Sequence, residues 1–116
     1  MRPGHLELFV RDPQRTKRFY RDVLGFSITS EQGDGRFVWL RHGEREILLR
    51  PGTPPVAATY DGAGRAQVVY ADDVEAARTR IEEHDCVFRG TDGSDACLTF
   101  TDPDGYWFQL VDPGGH

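Results

Sequence analysis

His5-Leu6-Glu7-Leu8-Phe9-Val10, followed at once by Asp12-Pro13, is the stretch that decides the fold, because its outline returns 61 residues later. Ala66-Gln67-Val68-Val69-Tyr70-Ala71 repeats the alternation, and Asp73 falls where Asp12 did. At the same spacing Phe37-Val38-Trp39-Leu40 lies over Leu98-Thr99-Phe100-Thr101, and Glu46-Ile47-Leu48-Leu49 over Trp107-Phe108-Gln109-Leu110. The turns His42-Gly43-Glu44 and Pro103-Asp104-Gly105 coincide too, so the repeat reads without a gap. A fixed period marks copies of one supersecondary unit. The expectation is a single domain over 1–116, made of module one (1–52), a Pro- and Gly-rich linker (53–63) and module two (64–113).

Each module reads as strand, helix, then three strands. Residues 5–10 alternate as a strand does, Asp12 is a good helix N-cap, and Pro13 suits the first helical position. Phe19, Tyr20, Val23 and Leu24 make one helical stripe, stopped by Gly25. Strands are expected at 26–30, 36–41 and 45–50, with turns at Gly33-Asp34-Gly35 and near Gly43. In the second copy, strand 66–71 leads to an Asp73-capped helix carrying Val74, Ala77 and Ile81. Strands near 86–90, 96–101 and 106–111 follow, the last two joined by Asp102-Pro103-Asp104-Gly105. The fold class is therefore α+β, two tandem βαβββ modules.

Composition narrows the function. A chain of 116 residues can bury roughly 65% of its unfolded surface, enough for an independent core. Hydrophobic residues at 38% and charged residues at 28% exclude a disordered chain or a fibre. No apolar run reaches the ~18 residues of a membrane helix, and Met1-Arg2-Pro3-Gly4-His5 has no signal-peptide core, so a cytoplasmic location and no membrane partner are expected. Fourteen basic against nineteen acidic residues, net −5, disfavour nucleic acid as a partner. Cys86 and Cys97 make no disulfide framework and read as reduced thiols. Ser27, Ser30 and Ser94 lack a nucleophile-elbow context, and Gly33-Asp34-Gly35 lacks the lysine of a phosphate loop. No catalytic residue is assigned.

The repeated module with this punctuation resembles the vicinal oxygen chelate superfamily, which includes glyoxalase I, extradiol dioxygenases, fosfomycin-resistance enzymes and bleomycin-resistance proteins. The segments that carry the resemblance are His5 to Asp12, Phe19-Tyr20-Arg21-Asp22-Val23-Leu24-Gly25-Phe26, and Asp102 to Val111. It implies mixed sheets that curl into an open barrel around a pocket, and a homodimer.

Strand parity assigns residues to that pocket, since side chains alternate. Leu6, Leu8 and Val10 are expected against the helix, with His5, Glu7 and Phe9 on the opposite, pocket side. Likewise Ile47 and Leu49 go to the helices, and Glu46, Leu48 and Arg50 to the pocket. Phe108 and Leu110 pack on the helices, leaving Trp107, Gln109 and Val111 inward, together with Phe37, Trp39 and Tyr70. The candidate ligand-binding set is His5, Glu7, Phe9, Phe37, Trp39, Glu46, Leu48, Tyr70, Trp107 and Gln109. An apolar lining with a few polar groups is the usual design of a small-ligand site.

Metal-dependent members resembling this chain place four ligands at the start of the first and the end of the fourth strand of each module. Here those positions hold His5, Leu48, Ala66 and Gln109, and leucine and alanine cannot ligate. The expectation is no metal cofactor and a binding protein of the bleomycin-resistance type, taking a cationic or aromatic antibiotic or metabolite. Stacking on Trp39 and Trp107 would supply affinity, and Glu7, Glu46 and Gln109 would orient the ligand. The alternative is a lyase, isomerase or dioxygenase of the glyoxalase type, with a divalent metal on His5, Glu46 and Gln109.

Overall fold

Asp12 ends the first strand and starts the first helix with one side chain. Its Oδ1 accepts from the backbone N–H groups of Gln14 (3.0 Å) and Arg15 (3.4 Å), two of the donors a helix start leaves open. The computed structural model describes residues 1–84, 86, 88–91 and 97–114; Ser94, and positions 87 and 96 of the strands expected near 86–90 and 96–101, lie outside the described residues. The chain divides into two compact units, Met1–Pro54 and Pro55–His116.

The first unit contains β1 (Leu6–Val10), α1 (Pro13–Asp22), β2 (Ser27–Gln32), β3 (Phe37–His42) and β4 (Arg45–Pro51). Its sheet has the order β1-β4-β3-β2, with β1 parallel to β4 and the other pairs antiparallel. Helix α1 ends where Gly25, at φ 79°, turns the chain so that Phe26 N–H reaches Tyr20 O at 2.9 Å. Phe19 and Tyr20 are buried beneath the helix, and Tyr20 meets Phe26 edge-on with ring centroids 5.7 Å apart. Val38, Leu40, Ile47 and Leu49 supply the sheet side of this core.

One expectation fails here. Leu6, placed against the helix by parity, is 40% exposed, whereas Val10 on the same face is fully buried. Strand β1 is the sheet edge, and α1 lies over β2, β3 and β4, so the start of β1 runs out from under its cover.

The second unit contains β5 (Gln67–Tyr70), α2 (Val74–Glu82), β6 (Phe88–Thr91), β7 (Cys97–Thr101) and β8 (Trp107–Val111). Asp73 caps α2 by accepting from Ala76 N–H at 3.0 Å. The sheet order β5-β8-β7-β6 copies the first, and both sheets are open, with two edges each. The parallel registers match at the expected spacing: Leu6 pairs with Ile47, and Gln67 with Phe108, each shifted by 61.

The antiparallel registers do not. Leu40 pairs with Ile47, but Phe108, the counterpart of Ile47, pairs with Phe100. Strand β7 therefore follows β3 at a spacing of 60, and the gapless repeat is corrected by one residue. The cause is the turn. Gly43 and Glu44 alone separate the His42–Arg45 pair, whereas five residues separate Thr101 from Trp107. A one-residue slip exchanges the two faces of a strand. Phe100 thus occupies the place of Leu40 in the core, and Thr99 and Thr101 take the face of Trp107 and Gln109.

The stretch expected as a linker contains structure of its own. The chain divides at Pro54, and Asp61–Ala63 form a 3-10 turn. Ala57 and Tyr60 belong with the second unit, where both touch Trp107.

Candidate functional site

In the first unit, register brings most of the expected residues onto one face. Glu7, Leu48 and Trp39 lie in one row across β1, β4 and β3, and Phe9 pairs with Arg50 in the next. Glu7 accepts from Arg50 Nη1 at 2.8 Å on Oε1 and meets His5 Nε2 at 2.8 Å on Oε2. The Arg50 guanidinium stands 5.4 Å from both the Phe9 and the Phe37 ring centres, within cation–π range. The His5 ring meets Trp39 edge-on, with centroids 4.6 Å apart. Glu46 is exposed and sits opposite Arg41. Both Glu7 oxygens are therefore engaged within the sheet, and this face is an internally balanced layer of rings and charges.

That balance has a pH signature. The Arg50 guanidinium, and after it His5, hold the Glu7 carboxyl below the usual glutamate range. Because its folded pKa lies below its unfolded one, the pair stabilises the fold at pH above the unfolded value, and this is lost as pH falls through the folded value. In a carboxyl-carbon NMR titration Glu7 should titrate below the ordinary glutamate range, and Arg50→Gln should bring it back up. A Glu7 that titrates in the ordinary glutamate range in the unaltered protein would mean the pair does not form in solution.

The second unit holds an open cavity of about 520 Å³. It is lined by Ala58, Thr59, Tyr60 and Asp61, ahead of β5, and by Arg89 and Thr91 of β6, Thr99 of β7 and Trp107 of β8. Trp107 is the hub. Its Nε1–H donates to Ala57 O at 3.0 Å, and Tyr60 packs edge-on against it at 6.0 Å. Arg89 lies over it with Cζ 6.0 Å from the ring centre, and Arg89 Nε donates to Thr101 Oγ1 at 3.1 Å. Of the expected residues only Trp107 lines this space. Gln109 is buried in the register row of Val68 and Thr99, and Tyr70, at the end of edge strand β5, is 69% exposed.

The other lining residues escaped sequence reading for two reasons. Tyr60 and Asp61 stood in a stretch read as linker. Thr99 shares the face of Trp107 only because of the longer turn, and around Arg89 the β6–β7 register shifts between Phe88 and Thr91, where Gly90 has φ 102°. The length of the Asp102–Tyr106 turn was the available signal.

The four positions that would ligate a metal by resemblance do not fit a divalent ion. In the first unit they are His5, whose Nε2 is engaged with Glu7, and Leu48; in the second they are Ala66 and the buried amide of Gln109. Two of the four are hydrocarbon. Among the described residues no group of three or more His, Cys, Asp or Glu gathers closely enough to hold a metal ion, and no helix is long and apolar enough to cross a membrane.

Comparison with known proteins agrees with this fold. Residues 2–110 match the family model of the Glyoxalase/Bleomycin resistance protein/Dioxygenase superfamily. Among solved structures, the fosfomycin resistance protein FosX from Listeria monocytogenes, complexed with Mn(II) and sulfate, superposes with a TM-score of 0.80 at 15% identity, over 96% of this chain and 89% of that one. TnmS3, an antibiotic-binding protein from Streptomyces sp. CB03234, gives 0.65 at 22% identity over 97% and 98%. Glyoxalase I from Leishmania major gives 0.72 at 22% identity over 99% and 88%.

Proposed function

The chain belongs to the Glyoxalase/Bleomycin resistance protein/Dioxygenase superfamily, and from that premise we propose that it binds a small molecule, an antibiotic or a metabolite, without a metal, in the cavity beside Trp107. The observation that carries this reading is the cavity. Its volume of about 520 Å³ lies within the roughly 300–1,000 Å³ of small-ligand sites, and its wall joins two aromatic rings to an arginine and several hydroxyls. The donor set supports a metal-free reading, since the side chains of Leu48 and Ala66 offer no lone pair. An antibiotic-binding protein among the fold neighbours is consistent with the ligand class.

The test is a titration of Trp39→Phe protein, in which Trp107 is the sole tryptophan. Bleomycin, and separately fosfomycin, is added while indole emission is followed, with and without Mn(II). Saturable quenching by at least one of them, unchanged by EDTA, is expected, and Trp107→Phe protein, reporting from Trp39, should show none. No quenching by either compound, or quenching only when Mn(II) is present, would overturn the proposal.

A further inference from the structure

The cavity beside Trp107 carries two opposite charges that are not spent on one another. Arg89 and Asp61 both line it, yet no ion pair joins them, and Asp61 has no hydrogen-bond partner among the described residues. Arg89 uses only Nε, on the Thr101 hydroxyl, so both Nη groups remain available as donors among the described residues. That hydrogen bond and the Trp107 ring, 6.0 Å from Cζ, orient it toward the cavity wall. A guanidinium held in place with two free N–H edges loses little entropy when it takes an oxyanion. Thr101 itself is buried, so the post that holds Arg89 is rigid. Asp61 opens the 3-10 turn and lines the same space. The rings of Tyr60 and Trp107, edge-on at 6.0 Å, line the same space.

Resting on the small-molecule reading above, we propose that the cavity takes a zwitterionic ligand, with its carboxylate on Arg89, its ammonium on Asp61 and its body along Tyr60 and Trp107. A ligand with only one of these charges satisfies one wall and leaves the other ion without a partner. The zwitterion meets both with charge-assisted hydrogen bonds, which are the stronger kind. It also adds no net charge to a chain that is already at −5.

A matched set of four probes tests this: 4-(aminomethyl)benzoate carries both charges, 4-methylbenzoate the anion, benzylamine the cation and 4-methylbenzyl alcohol neither. The readout is the indole N–H signal of Trp107 in ¹H–¹⁵N NMR, with the Trp39 indole as the reference in the other unit. The zwitterion should bind at least ten-fold more tightly than either singly charged probe. Arg89→Gln should remove its advantage over benzylamine, and Asp61→Asn its advantage over 4-methylbenzoate. If all four probes move the Trp107 signal with equal affinity, the cavity still receives small molecules but the charge assignment falls. If the zwitterion's advantage survives both substitutions, the assignment falls as well. If no probe moves the signal, the inference fails, while the antibiotic titration separately decides the binding function.

Discussion

Phe100→Ala should lower stability by about 3–5 kcal/mol, the usual cost of emptying a phenylalanine site in a core. Phe100 is fully buried and is the middle of three rings set side by side across β6, β7 and β8. It stacks on Phe108 with centroids 5.1 Å apart and planes 15° apart, and it tilts against Phe88 at 5.4 Å. Truncation removes both ring contacts and leaves a void between two strands that are hydrogen-bonded in place and cannot close over it. For a chain of this size each kcal/mol shifts the melting temperature by about 4 °C, so a fall of roughly 12–20 °C is expected by calorimetry. The result also decides the register. At a spacing of 61, Phe100 is the counterpart of Trp39 and faces the open side of the sheet, where truncation costs little. At the observed spacing of 60 it is the counterpart of Leu40 and is core. A loss below about 1 kcal/mol would contradict the packing described here.

The sequence made the order of elements legible because local signals agreed with one another. Asp12 and Asp73 cap helices, Gly25 stops one, and alternation places every strand within two residues at either end. The faces of β1 and β4 were legible for the same reason: Glu7, Leu48 and Trp39 share a row, as their parity required. Parity alone does not say how far a helix reaches, and so Leu6 was misplaced. Nor does it survive a change in turn length. The repeat lays His42-Gly43-Glu44 over Pro103-Asp104-Gly105, but the turn before β8 holds an extra residue, so the spacing that suits β8 turns β7 over. Trp107 was read onto the right face because β8 lies beyond the insertion and keeps the spacing of 61. Asp61 and Arg89 carry no periodic signal at all. One sits in a 3-10 turn and the other beside a strand irregularity, so only the assembled second unit shows that they line one space.

The extra turn residue is held by Asp102, and Asp102→Ala should cost about 3 kcal/mol and disturb Trp107 at the same time. Asp102 Oδ1 accepts from Asp104 N–H and from Tyr106 N–H, both at 2.9 Å. The backbone of Asp102 closes the same turn: its N–H reaches Tyr106 O at 2.9 Å, and its carbonyl receives Gly105 N–H at 3.0 Å. Asp102 and Asp104 are both buried, so water is poorly placed to replace the lost acceptor. A buried donor left without a partner costs about 1–3 kcal/mol, and alanine leaves two of them short. The turn also sets the Thr101–Trp107 pair, which puts Trp107 beneath Arg89 and its indole N–H on Ala57 O. Relaxing it should therefore broaden or shift the Trp107 indole N–H signal while leaving the Trp39 signal, in the other unit, unmoved. Asp102→Asn retains an oxygen at Oδ1 and should recover most of both effects. If the alanine variant melts within about 2 °C of the unaltered protein and keeps its Trp107 signal, the carboxylate is not what sets the register of β7 and β8, and the five-residue turn must be held by its backbone hydrogen bonds alone.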